Sequence, residues 1–109
     1  MTLPNPPRHR VIVLPWIRVI AQRLIMPNWL AITIGPLIFA WRALDSVELA
    51  HELAHVVQWR QHGPLYIPRY FRASRRAAQA GGNRYWDNEF EVEARAAEDK
   101  VRALLAEHV

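Results

Sequence analysis

The sequence predicts an α+β domain, with a small N-terminal β-hairpin or sheet packed on helices. Three observations carry that expectation. Two short apolar runs, residues 30–34 and 37–41, flank Gly35-Pro36, the pattern of strands around a turn. Asp45 and Glu48 stand at capping-box spacing, ahead of a stretch without Gly or Pro that reaches His62. From Asn88 onward, Phe90, Ala94, Ala97, Val101 and Leu104/Leu105 recur by threes and fours, a helical stripe.

Taken in order, the elements fit one domain, 1–109, with room for a single modest core. Residues 1–10 hold three of the eight prolines and read as a Pro-rich extended arm. Residues 11–20 are apolar and rich in β-branched side chains, a pattern open to strand or short helix. The 45–62 helix is expected to stop sharply at Gly63-Pro64. Residues 65–80 are helical in composition, interrupted by Pro68 and studded with Arg69, Arg72, Arg75 and Arg76, which makes a basic connecting helix. Gly81-Gly82 then breaks the chain before the last helix.

Composition narrows the chemistry. There is no Cys, so disulfides and thiolate metal sites are excluded, and any metal must be held by His, Asp or Glu. The net charge of +4 is unevenly spread. Residues 1–84 carry eleven Arg against three acids, or +8; residues 85–109 carry three basic residues against seven acids, or −4. Such asymmetry fits an acidic partner surface, or two ends of one small domain facing each other. The apolar run after Arg8 and Arg10 is broken by Pro15, Arg18 and Arg23, unlike a targeting segment. Residues 29–41 contain Gly35 and Pro36 and fall short of the ~20 needed to span a bilayer. No transmembrane segment is expected. A cytoplasmic location is, with a peripheral membrane contact through residues 12–25 left open.

The chemistry is concentrated in His51-Glu52-Leu53-Ala54-His55. At 100° per residue, Leu49, Ala50, Leu53, Ala54, Val56 and Val57 share one side of the helix, while Glu48, His51, Glu52 and His55 share the other. His51 and His55 sit one turn apart, roughly 6 Å along the axis, so both imidazoles reach a single ion. Glu52 projects beside them, close to a water on that ion. Zinc held by three protein ligands with one open position lowers the pKa of its water to ~7. A neighbouring carboxylate can then take the proton as the water attacks a peptide carbonyl. The pattern therefore points to a Zn2+-dependent peptidase with Glu52 as general base, acting on a peptide or unfolded protein substrate.

Two histidines leave a ligand to find. His62 lies about 10 Å beyond His55 on an unbroken helix, and suits a helix-end position favoured by the dipole. The stretch from Tyr85 to Arg95 offers Glu91 and Glu93. These lie on opposite shoulders of the apolar stripe, so spacing does not choose between them. Asn88 and Glu91 also have capping-box spacing, which offers Glu91 a purely local role. With HExxH followed by Phe90-Glu91-Val92-Glu93-Ala94-Arg95, the chain resembles the gluzincin-type zinc peptidases, in particular the minimal single-domain minigluzincins. That resemblance runs from Trp29 to Ala97 and implies a C-terminal glutamate helix with Glu91 as third metal ligand. It also implies a Tyr or His donor to the oxyanion, for which Tyr85 is the candidate, with a stacking or buried role as the alternative. The hairpin would supply an edge strand on which an extended peptide lies. Arg95 departs from the family pattern, where Asp or Asn orients a zinc-bound His, so another residue must take that part.

Two further readings compete. Arg69, Arg72, Arg75, Arg76 and Arg84, interleaved with Tyr66, Tyr70 and Phe71, would suit nucleic acid or another acidic surface. A non-catalytic metal-binding regulatory module is the other, although a purely structural site has no use for Glu52.

Overall fold

The computed structural model describes residues 6–26 and 28–107, so half of the Pro-rich arm lies outside the described residues. The chain runs β1 (Arg10–Val13), α1 (Ile17–Leu24), β2 (Ala31–Ile34), β3 (Leu37–Ala40), α2 (Ser46–His62), a 3-10 turn (Gly63–Leu65), α3 (Tyr66–Gln79) and α4 (Glu89–Glu107). The architecture is α+β, as expected: one three-stranded sheet near the N-terminus and a helical remainder.

The sheet order is β1-β3-β2. The β2–β3 hairpin turns at Gly35, where φ is +60°, a conformation glycine adopts without steric cost. Segment 11–20 holds both of the elements its sequence allowed. Its first part is β1, which pairs parallel with β3, and α1 begins after Pro15-Trp16. That leaves β3 central, with Ile38 and Ala40 fully buried, and β2 on an edge. Trp41 N donates to Leu30 O, so by antiparallel alternation the backbone groups of Ala31 and Thr33 point away from β3. One of them is taken: the Trp59 indole N–H donates to Thr33 O at 2.9 Å.

The α2 N-terminus is closed by the expected capping box. Glu48 N donates to Asp45 Oδ1 at 2.8 Å and Asp45 N to Glu48 Oε1 at 3.1 Å. Gly63 ends the helix with φ +59°. Leu53 and Val56 pack on Ile38 of the sheet, forming the central cluster. The other flank of α2 lies against α4, so the helix is enclosed on two sides. This corrects the two-sided wheel: Val57, placed on the apolar side, is exposed, while Gln58 is fully buried.

Pro68 does not interrupt the third helix. It sits in the first turn of α3, where a missing N–H leaves no intrahelical bond unmade. Tyr66, Ala73 and Phe90 form a second cluster that joins α3 to α4. Phe90, Ala94 and Val101 of the expected α4 stripe are buried. No helix among the described residues is long and apolar enough to cross a membrane.

Candidate metal centre

α2 carries His51, Glu52 and His55 to the interface with α4, and a ligand atom from each falls within 4.8 Å of the others, a group able to hold a metal ion. His51 Nε2 and His55 Nε2 are 3.2 Å apart. From α4, Glu91 Oε1 lies 2.7 Å from His55 Nε2 and 3.2 Å from His51 Nε2. Glu91 is 3% exposed, and its second oxygen accepts from the Tyr70 hydroxyl at 2.7 Å. The local capping role for Glu91 is not seen: Asn88 N donates to Tyr85 O, and the Asn88 side chain caps α4 by accepting from Phe90 N. Glu93 points elsewhere, to Gln58.

Gln58 determines the tautomer of His55. Its Nε2 donates to Phe90 O and to Glu93 Oε1, both at 3.0 Å. A carbonyl and a carboxylate can only accept, so the amide cannot be turned the other way. Its Oε1 therefore faces His55 Nδ1 at 2.8 Å, and also accepts from the Tyr66 hydroxyl at 2.7 Å. His55 Nδ1 must carry the hydrogen, and in the neutral ring Nε2 presents its lone pair to Glu91 and His51. Electron-rich atoms converging on one spot repel unless a cation or proton lies between them.

The spacing fits a cation. With bonds of ~2.0–2.1 Å, a tetrahedral ion holds its ligand atoms about 3.3 Å apart, close to the observed 2.7–3.2 Å triangle. Outer supports are present too. Gln58 orients His55, and Glu98 Oε2 stands 3.7 Å from His51 Nδ1, beyond a direct hydrogen bond. Arg95 of α4 turns to the preceding loop, where it donates to Trp86 O and lies 3.7 Å over the Trp86 ring.

The local charges are strongly coupled. Burial pushes the Glu91 carboxyl up, but hydrogen bonds from His51, His55 and Tyr70 and the His55 charge outweigh it and hold it at about 2. For His55, burial works downward, and the hydrogen bond and charge of Glu91 more than offset it, so its pKa is raised. Burial raises the Glu52 carboxyl, partly offset by both imidazoles and by Thr33, whose hydroxyl donates to Glu52 Oε1 at 3.3 Å.

These groups open onto a cleft of about 630 Å³, bordered by β2 on one side and α3 on the other. Tyr85 lines it, half exposed, with its hydroxyl pushed up to about 12 by burial and by the Glu91 and Glu52 charges. Among the described residues its O–H has no hydrogen-bond partner, whereas Tyr66 and Tyr70 spend theirs on Gln58 and Glu91. His62 is outside the centre, with its Nδ1 2.8 Å from an Arg69 nitrogen.

Sequence reasoning did not pick out Gln58, Tyr66, Tyr70, Thr33 or Glu98 for the site. A signal existed for some: Gln58 lies three residues after His55 and Glu98 seven after Glu91, which keeps each on the same helix face as that residue. No such local signal marks Thr33. The chain matches no family model, no curated protein and no solved structure.

Proposed function

We propose that this chain is a zinc-dependent endopeptidase of the gluzincin type, with His51, His55 and Glu91 as metal ligands and Glu52 as general base. The observation that carries the reading is the convergence of His51 Nε2, His55 Nε2 and Glu91 Oε1 beside the Glu52 carboxylate, on the wall of an open cleft. Two imidazoles and one carboxylate are the donor set zinc takes when a fourth position stays open. Zinc held there would supply a Lewis acid for the scissile carbonyl and lower the pKa of a water.

The protein's own groups supply the rest. Glu52, buried and steadied by Thr33, accepts the proton of the attacking water and passes it to the leaving amine. Tyr85 has an uncommitted hydroxyl on the cleft wall, suited to donate to the oxyanion that develops on the substrate carbonyl. β2 offers outward backbone groups along the cleft, where an extended peptide can add as a short strand. Ile32, Ile67 and Phe71 give that cleft apolar walls, which favours substrates with apolar side chains. The nucleic-acid reading loses support, because Tyr66 and Tyr70 turn inward and leave Phe71 as the exposed aromatic among the α3 arginines.

The test is metal content together with hydrolysis of casein. One zinc per chain is expected, and Glu52→Gln should keep the zinc and fold while losing nearly all cleavage. Protein that takes up no metal on titration would refute the metal centre. A Glu52→Gln variant that cleaves as fast as the parent would refute the base.

A further inference from the structure

An amphipathic helix on a protein surface ordinarily turns its apolar stripe inward. α1 does the reverse. Ala21 is its buried residue, whereas Val19, Ile20 and Leu24, with Trp16 just before the helix, are all more than half exposed, Leu24 at 80%. At 100° per residue these four fall within an arc of about 140°, with Arg23 inside it. Ile25, next along the chain, is also more than half exposed and lines the cleft.

The charge carried by this part of the chain is of one sign. Asp45 is the first acidic residue of the sequence, and Arg8, Arg10, Arg18, Arg23 and Arg42 precede it. Arg42 is neutralised by Glu48. Among the described residues, the other four are exposed and have no carboxylate within salt-bridge distance. Arg18 lies over the Trp41 ring, 4.4 Å from its centroid.

We infer that the outward face of α1 is a docking surface for an anionic lipid bilayer, with α1 lying in the interface plane. A short helix bearing exposed aliphatic side chains, a flanking Trp and interspersed Arg is matched to that environment: the apolar groups enter the acyl boundary while the guanidinium groups remain among the phosphates. A second copy of this chain is the poorer occupant, because it would bring a face with the same uncompensated charge. The surface is separate from the metal centre, and its test reads no activity.

The experiment is co-sedimentation of the full chain with vesicles of equal parts phosphatidylglycerol and phosphatidylcholine, against phosphatidylcholine alone. The parent should bind the anionic vesicles at least roughly tenfold more tightly, and lose that binding at high salt. Ile20→Glu with Leu24→Glu, both at exposed positions, should release the protein while leaving its circular dichroism and melting temperature unchanged. Arg23→Glu alone should weaken binding severalfold, which keeps the test valid if the double variant misfolds. A parent that stays in the supernatant with anionic vesicles overturns the inference, as does a folded double variant that binds like the parent. So does a parent dimer that the double variant converts to monomer without any lipid binding, since the face then serves a second copy.

Discussion

Replacing Gln58 by methionine, a side chain of nearly the same length, removes both an acceptor and a donor from a fully buried position. His55 Nδ1–H and the Tyr66 hydroxyl lose their shared acceptor, and Phe90 O loses its Gln58 donor. Tyr66 offers partial compensation, since its hydroxyl oxygen is 3.2 Å from His55 Nδ1 and can accept from it. One or two buried groups then remain unsatisfied, at about 1–3 kcal/mol each, or roughly 1–6 kcal/mol in total. That is a large part of the ~5–15 kcal/mol that holds a typical domain together. Metal affinity should fall independently. Loss of an orienting partner behind a ligating His costs ~10–100-fold, so a fixed excess of zinc should stabilise the variant by ~1.4–2.8 kcal/mol less than the parent. Urea unfolding with and without zinc, combined with chelator competition, reads both quantities. Gln58→Glu provides the contrast. It keeps an acceptor for His55 and Tyr66, and should hold zinc like the parent, yet it sets a second carboxylate against Glu93 and should lower stability. A folded Gln58→Met protein with parental zinc affinity would refute the orienting role. So would a Gln58→Glu variant that loses as much zinc as Gln58→Met.

Glu91→Ala should reduce zinc affinity by orders of magnitude, whereas Glu93→Ala, which removes only a partner of Gln58, should change it less than tenfold; the reverse order in a chelator titration would move the third ligand to Glu93. Asp45→Ala removes the side-chain acceptor of the α2 capping box. It should lower stability by about 1 kcal/mol and the melting temperature by roughly 4–8 °C, equally with and without zinc. A melting temperature unchanged in calorimetry would mean the capping box contributes nothing to stability.

Legibility from sequence followed the range of the interactions. The hairpin turn, the Asp45–Glu48 box and the Gly63 stop are built from neighbours in the chain, and they stand where their residues placed them. The parallel pairing of β1 with β3 depends on a partner 27 positions away, Arg10 facing Leu37, and no local pattern marks it. α2 misled the helical wheel for a related reason. A wheel assumes one buried side, and α2 is enclosed by the sheet and by α4, which makes Gln58 a core residue and leaves Val57 outside. The histidines and Glu52 were legible because their spacing is itself the chemistry. Glu91 required the resemblance, and the tyrosines of α3 were read as a stacking surface because nothing local shows which way they turn.

The Trp59–Thr33 bond has a consequence for the free rim of the sheet. An open strand edge invites identical chains to zip together, and a cleft that receives extended guests has to keep such an edge uncovered. β2 meets both demands by rationing its contacts. It is four residues long, and the indole of Trp59 already occupies the Thr33 carbonyl, which leaves Ala31 N–H, Ala31 C=O and Thr33 N–H facing outward. Three groups are too few to propagate a ladder between copies of the chain. Under the peptidase reading they would be enough to hold a single short guest in place, and they would limit how far that guest runs before it meets the indole.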